Sequence, residues 1–156
     1  MTMTYYITYL KDTIGNNYLG IKVPNDVVEP FLNDLKEILG DDFDTYTENQ
    51  KRRDRDAYHI TVMNVMDYNR LVKEVGVEKF VNSLEPILNY EIDDLEMLGV
   101  GTAAKGDNRT YFIVCNSDKL DAVRTRFGLV NQDFHTTLGF KDKDVFGVPK
   151  NKIIEK

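Results

Sequence analysis

The sequence has one cysteine, no long apolar run and a deficit of positive charge, and each scarcity excludes a class of protein. Cys115 is the single cysteine among 156 residues, so no internal disulfide can form and a reducing cytoplasm is the expected compartment. No run approaches the roughly 20 apolar residues that span a bilayer. The first residues, MTMTYYITYLKD, lack the basic start and apolar core of a secretory signal. We therefore expect no membrane partner.

The balance of charge is acidic, with 20 Lys and Arg against 26 Asp and Glu and a net charge of −6. Proteins that bind long nucleic acids usually carry a broad basic surface, because they displace counterions from many phosphates. This chain has no such surplus, so we expect no long nucleic acid as a partner. A small anionic ligand needs only a few local cations, which the composition allows.

The remaining composition is that of an ordinary folded domain, with 42% hydrophobic and 29% charged residues. A chain of this length can bury a core without disulfides or metals. It shows no low-complexity linker and no short repeat, so we expect one domain, acting as a monomer. Cys115 ends the apolar run TYFIVC, which reads as a buried strand, and is expected to be a small core residue.

Two short segments contain both histidines of the chain, YHITV at 58–62 and FHTTL at 134–138. In each, a threonine follows the histidine two places later, and apolar residues alternate with this pair, as in a half-buried strand. Side chains two apart in a strand share a face, roughly 6–7 Å from one another. Each segment therefore predicts an imidazole and a hydroxyl side by side, from His59 and Thr61 and from His135 and Thr137.

The rest of the chain follows the same order in both halves: strands, a helix, a polar connection and a His-x-Thr strand. The first half gives strands in TYYITYL and NYLGIKV and a helix in PNDVVEPFLNDLKEILG, where Pro30 favours a later start and Gly40 a stop. The second gives helices in DYNRLVKEVG, VEKFVNSLEPILN and SDKLDAVRTRFG, and strands in DDLEMLGVGTA and RTYFIVC. We expect an α+β domain of two pseudo-symmetric lobes, 1–66 and 67–140, with central antiparallel sheets, and with 141–156 as a lid or tail. A cleft between the lobes would hold both His-Thr pairs.

These residue types suit the cleavage of a phosphodiester. One histidine can take a proton from the attacking oxygen while the other protonates the leaving oxygen, since a pKa of about 6.5 permits either state. The threonine hydroxyls can donate to the non-bridging oxygens as negative charge develops. No metal is required, and with no third histidine or cysteine cluster we expect neither a metal nor another cofactor. Which histidine is the base stays open, as does the choice of a ribose 2′-OH or water as nucleophile.

The paired segments HITV and HTTLGF resemble the signature of the 2H phosphoesterases, which have one His-x-Thr or His-x-Ser motif in each lobe of an α/β fold. Within that superfamily the chain looks most like the phage phosphodiesterases that counter cyclic-oligonucleotide-based antiphage signalling (CBASS). The similar segments are YYITYLKDTIGNNYLGIKVP, HITVMNVMDYNRL and HTTLGFKDKDVFGVPKN. The resemblance implies metal-independent hydrolysis of cyclic di- or trinucleotides with 3′–5′ linkages, and a catalytic set of His59, Thr61, His135 and Thr137.

Two alternatives use the same residues. One is a 2′,3′-cyclic or 2′,5′-oligoadenylate phosphodiesterase acting on RNA ends or linear oligomers, against which the acidic charge argues. The other is a module that sequesters a cyclic nucleotide without cleaving it, which would have no need of two matched His-Thr pairs.

Several further residues are candidate substrate contacts, each with a plainer structural explanation. The segment QKRRDRD at 50–56 is either a solvated loop or a mobile loop that gathers phosphate. Lys105 and Arg109 flank a predicted hairpin turn and could contact phosphate. Tyr9 is a typical strand residue that could stack on a base. The tail from Lys141 could fray, or fold over the site with Phe146 as an aromatic wall.

Overall fold

A computed structural model describes residues 3–154 of the chain, which form five α-helices and six β-strands. The helices are α1 (Asn25–Leu39), α2 (Phe43–Asp54), α3 (Val65–Val75), α4 (Val77–Leu88) and α5 (Asp118–Arg126). The strands are β1 (Thr8–Lys11), β2 (Asn17–Val23), β3 (Tyr58–Met63), β4 (Glu96–Lys105), β5 (Asn108–Asn116) and β6 (His135–Phe140). None of these helices is both long and apolar enough to cross a membrane.

The six strands form one sheet in the order β1-β2-β3-β6-β5-β4. The pairs β1–β2, β3–β6, β5–β6 and β4–β5 are antiparallel. Strand β3 is the third strand of the first half of the chain and β6 is the third of the second half. These two strands are thus neighbours at the centre of the sheet. The predicted mixed α and β architecture with an antiparallel sheet is confirmed. The predicted boundaries at residues 66 and 140, and a cleft between the lobes, stay predictions.

The described residues group into two compact units, each built from three stretches of chain. The first unit comprises 1–22, 61–95 and 117–132. Its core includes the edge-on rings of Tyr68, Phe80 and Phe127. It also contains the buried guanidinium of Arg124, which donates to the carbonyls of Val130 and Val62, both at 2.8 Å. A buried charge needs such partners, because desolvation without them costs several kcal/mol.

The second unit comprises 23–60, 96–116 and 133–156 and contains both histidines. Its centre is the antiparallel run β4–β5–β6, and α2 packs on β6. The helix approaches closely at Gly139, where an added Cβ would lie 2.8 Å from the carbonyl of Tyr46. Asn49 of α2 fixes the contact by donating to the carbonyls of Phe140 and Lys141 at 2.9 and 2.6 Å.

Most predicted elements agree with the structure, and the helix stops are where the glycines indicated. Gly40 follows α1 with a φ of 55°, and Gly128 lies beyond α5 with a φ of 71°. Ser117 caps α5 by accepting from the amide of Leu120 at 3.1 Å. The later start expected for α1 is wrong, because the helix begins at Asn25 and contains Pro30. The helical spacing of its buried residues outweighs the backbone hydrogen bond that proline cannot make.

The polar connection predicted before the first motif is wrong, because residues 43–54 form α2. Its inner face does have helical spacing, yet the fully buried members are Thr47 and Gln50, which are polar. Thr47 donates to the carbonyl of Phe43 at 2.9 Å, and Gln50 donates to that of Ala57 at 2.9 Å. An apolar pattern therefore could not reveal this helix. Residues 50–54 of the segment QKRRDRD are its C-terminal end, and Arg55 and Asp56 form the turn that follows, so neither loop interpretation holds for the segment as a whole.

The tail after β6 packs onto the second unit as far as residue 154. Asp144, Val145 and Lys150 are buried. Ile153 bridges to Gly101 of β4, and the amide of Ile154 donates to the carbonyl of Val100 at 2.8 Å. Cys115 is buried as predicted, and burial raises the pKa of its thiol to about 12, so the thiol stays protonated at neutral pH.

Replacing Gly139 with alanine should destabilise the protein by about 1–3 kcal/mol, because the new methyl group would press on the backbone of α2. Urea unfolding of both proteins measures the loss. Gly106→Asn is the control, since Gly106 has open space around it and asparagine tolerates its φ of 62°. Equal stability of Gly139→Ala and the parent protein would mean that α2 does not approach β6 this closely.

Candidate active site

The two His-x-Thr segments lie on the adjacent central strands β3 and β6. Along β3, Tyr58, Ile60 and Val62 are buried while His59 and Thr61 are only half-buried, as the alternating pattern predicts. Ile60 is paired with Thr136 in the antiparallel register. Counting outward from that pair sets His59 opposite Thr137, and opposite residues in such a pair are near neighbours on one face. His135 shares that face with Thr137, because the two are separated by one residue.

The hydrogen bonds of His135 define its tautomer. Its Nδ1 lies 2.9 Å from the carbonyl oxygen of Asp133, which can only accept, so Nδ1 carries the proton. The Nε2 atom is then an acceptor and lies 3.4 Å from the ammonium of Lys150. The ring also packs edge-on against Phe112, with centroids 5.6 Å apart. These contacts fix an imidazole whose lone pair is on Nε2, where it faces the ammonium of Lys150.

The surroundings of both histidines favour the neutral ring. Burial, with the Lys150 ammonium second, lowers the pKa of His135 to about 4, and the carbonyl of Asp133 offsets only part of this. Burial also lowers the pKa of His59, where the charges of Asp54 and Asp144 oppose the shift and that of Arg53 adds to it. A neutral imidazole is the form that can accept a proton from an attacking hydroxyl.

Asp144, from the tail, connects the cations of the site to Thr137. One carboxylate oxygen accepts from Arg53 at 2.5 Å and from the hydroxyl of Thr137 at 3.4 Å. The other accepts from the ammonium of Lys150 at 3.5 Å and from the amide of Val145 at 2.8 Å. Burial would raise the pKa of this carboxyl, but Lys150 and Arg53 outweigh it and hold the pKa below its usual range. The carboxylate therefore stays charged and keeps the tail against β6.

Arg53 is fixed on α2 by three contacts. It bonds both oxygens of Asp54 at 2.9 and 2.8 Å, and its guanidinium lies 5.1 Å from the ring centroid of Phe140. Burial alone would lower the pKa of Arg53, but the carboxylates of Asp54 and Asp144 outweigh burial and raise the pKa above its usual value. The guanidinium therefore stays charged. Arg53, Asp144 and Lys150 thus form a triad, named here the ion triad, in which Asp144 and Lys150 are buried and Arg53 is half-buried.

The other predicted residues have different surroundings. Thr61 belongs to the first unit, where its carbonyl accepts from Gln132 at 2.5 Å. Tyr9 also lies in the first unit, half exposed on β1 opposite Leu19. Arg109 donates to Thr102 of β4 at 3.1 Å. Their predicted contacts with substrate stay predictions.

Phe146 and Lys105 are connected to the site through the tail. The ammonium of Lys150 lies 5.5 Å from the centroid of the Phe146 ring, and Lys105 donates to the Phe146 carbonyl at 3.4 Å. The sequence reasoning missed Asp144 and Lys150, which it grouped with a polar tail. Within residues 3–154 no group of three or more His, Cys, Asp or Glu side chains has the arrangement of a metal site.

The chain belongs to the 2H phosphoesterases, since a family model described as Swiss Army Knife, 2H phosphoesterase domain, matches residues 26–146. The matched range includes both His-x-Thr segments and most of the chain. No curated protein and no solved structure matches the sequence. Membership of this family defines a phosphoester hydrolase.

The ion triad should control the protonation of His135. Replacing Lys150 with methionine removes the ammonium 3.4 Å from Nε2, so the pKa of His135 should rise above about 4, while burial, the larger cause, still holds it below about 6.5. Nuclear magnetic resonance titration of the ring protons measures this pKa directly. Because the folded-state pKa lies below the unfolded value of about 6.5, protonation opposes folding, and stability should fall as the pH drops through that window.

Lys152→Met is the matched control for Lys150→Met, because Lys152 is exposed two residues further along the tail. It should leave the titration of His135 as it is in the parent protein. A pKa of His135 near 6.5 in the parent protein, or one that Lys150→Met does not raise, would contradict the described contact.

Proposed function

We propose that this phosphoesterase is a metal-independent phosphodiesterase that hydrolyses the 3′–5′ linkages of cyclic di- or trinucleotides. The observation that carries the proposal is the pairing of β3 with β6, which sets His59 opposite Thr137 on the face that also holds His135. Two imidazoles and a hydroxyl on one face are what an acid–base displacement at phosphorus needs. The similarity of the segments around both motifs to phage enzymes that counter CBASS supports the cyclic substrate.

In the proposed reaction one histidine takes the proton of the attacking hydroxyl as the new O–P bond forms. The bond from phosphorus to O5′ breaks, and the other histidine gives its proton to that oxygen. If the ribose 2′-OH attacks, the product is a 2′,3′-cyclic phosphate, and water can open it with the two roles exchanged. If water attacks directly, the same two groups serve a single step.

The contacts of His135 suit it to the role of base in the first step. Its Nδ1–H is held by the Asp133 carbonyl, so Nε2 offers a lone pair. The Thr61 hydroxyl would donate to a non-bridging oxygen. The Thr137 hydroxyl would do the same by turning its one proton from Asp144 to the phosphate. An incoming phosphate would attract the ammonium of Lys150 and add a cation beside the developing charge.

The proposal also assigns a biological role and a location. Destruction of a cyclic nucleotide that signals infection would let a phage evade CBASS, and such an enzyme would work in the cytoplasm of the host cell. A monomer suffices, because His59, His135 and Thr137 lie in one unit of one chain.

Incubation with a panel of nucleotides in excess EDTA tests the substrate class. The panel contains cyclic dinucleotides and trinucleotides, 2′,3′-cyclic mononucleotides and 2′,5′-oligoadenylate. We expect cleavage of the cyclic oligonucleotides, with turnover nearly unchanged by EDTA, because side chains supply the acid, the base and the anion contacts. Cleavage of 2′,5′-oligoadenylate alone, or binding without cleavage of any compound, would contradict the proposal, as would loss in EDTA with rescue by Mg²⁺.

Substitution of the four motif residues separates chemistry from binding. His59→Ala and His135→Ala should each lower kcat by about 10²–10⁴-fold, with nucleotide affinity within about tenfold, and the double variant should be little worse. Thr61→Val and Thr137→Val should also act mainly on kcat. Thr136→Val is the control. Thr136 lies between His135 and Thr137 in sequence, and its buried side chain is on the opposite face of β6.

Single-turnover rates across pH and calorimetric binding provide the measurements. Because the pKa values of both histidines are lowered, the optimum of kcat/KM for the free enzyme should lie below about pH 6.5. If either His→Ala protein cleaves at the parent rate, the assignment of acid and base is wrong.

A further inference from the structure

We propose that a cavity beside the ion triad binds a second, non-scissile phosphate of the substrate together with its nucleoside. The cavity has a volume of about 390 Å³ and is formed by the C-terminal end of α2, the end of β6 and the start of the tail. That volume lies in the range of small-ligand sites, about 300–1,000 Å³. The inference rests on the proposed function and extends it, since it defines the minimal substrate as one with two phosphates.

The cavity adjoins the proposed catalytic groups through Asp144. This residue lines the cavity, and the same carboxylate accepts from Thr137 and from Lys150, which in turn contacts His135. A ligand in the cavity therefore lies about one side chain away from the reacting groups. Neighbouring phosphates of an oligonucleotide are separated by one nucleoside, so the phosphate next to the scissile one would be the group that enters the cavity.

The rim of the cavity offers two cations that the ion triad does not use. Arg52 and Lys143 are both exposed there, and the rim has one exposed carboxylate, that of Asp142, so the positive charges outnumber the negative one. The guanidinium of Arg52 is directed by Asn49, which accepts from it at 3.3 Å and itself donates to the carbonyl of Lys141. Arg53 and Asp144, by contrast, neutralise each other in the wall. In a chain of net charge −6, a local positive excess at the mouth of a cavity favours an anion.

Aromatic side chains complete the cavity. Phe146 lines it with 71% of its surface exposed, which is unusual for so large an apolar residue. The position of Phe146 is held by two contacts: the ammonium of Lys150 lies over its ring, and Lys105 donates to its backbone carbonyl. A nucleobase stacked on this ring would bury it, and such stacking is sequence-tolerant. Phe140 also lines the cavity, with the guanidinium of Arg53 over its ring.

The test compares two substrates in the same variants, 3′–5′ cyclic di-adenylate and 2′,3′-cyclic AMP. Cyclic di-adenylate has two phosphates, whereas 2′,3′-cyclic AMP has only the phosphate that is cleaved. Arg52→Gln combined with Lys143→Gln should lower the ratio of kcat/KM for cyclic di-adenylate over 2′,3′-cyclic AMP by roughly tenfold, mainly through KM. Phe146→Ala should lower the same ratio. The control is Lys36→Gln combined with Lys79→Gln, which removes the same charge from exposed positions on α1 and α4.

The outcomes separate the two proposals. A ratio that falls in the rim variant and not in the control supports the second-phosphate site. Equal ratios in the parent, rim and control proteins would overturn it while leaving the phosphodiesterase in place. If the parent protein cleaves neither compound, calorimetry with cyclic di-adenylate decides: binding weakened by the rim variant supports the site although the proposed function fails, and binding unaffected by it overturns the site.

Discussion

The arrangement of α2, β6 and the tail in the second unit depends on the hydrogen bonds and ion pairs that the buried carboxylate of Asp144 accepts. This carboxylate accepts from Arg53 of α2, from Lys150 further along the tail and from Thr137 of β6, so a single charge joins α2 to β6 and the tail, which lie far from that helix in sequence. A buried ion pair contributes little net stability, but removal of one partner leaves an uncompensated charge that costs about 3–5 kcal/mol. The triad therefore acts chiefly by specifying one arrangement of helix, strand and tail.

The same arrangement has a chemical consequence, because the cation that balances Asp144 also contacts His135. Burial and Lys150 lower the pKa of His135 and keep it neutral, and the Asp133 carbonyl fixes the tautomer that puts the lone pair on Nε2, facing Lys150. An anionic substrate would alter this balance by drawing the ammonium toward itself. Binding of phosphate and the proton affinity of His135 would thus be coupled through one lysine, and the rim cations Arg52 and Lys143 would extend that attraction to a second phosphate.

The sequence was sufficient for the parts of the fold that follow a simple period, and insufficient for parts that bury polar groups. Alternation around His59 and His135 predicted both strands, and Gly40 and Ser117 marked helix ends correctly, because these signals are local. Helix α2 escaped prediction since Thr47 and Gln50 occupy its buried face. Asp144 and Lys150 read as a solvated tail, because only the fold brings their charges together with Arg53. The roles of the four motif residues remain predictions that activity must test.

In the proposed mechanism one of His59 and His135 is the acid and the other is the base. The most direct measurement uses a dinucleotide in which sulfur replaces the bridging O5′, with single-turnover rates of His59→Ala and His135→Ala. A thiolate leaves without a proton, since a thiol pKa of about 8.5 lies far below that of an alcohol. The variant that lacks the acid should regain most of its lost rate, while the one that lacks the base stays slow. Equal rescue of both variants, or of neither, would contradict the division.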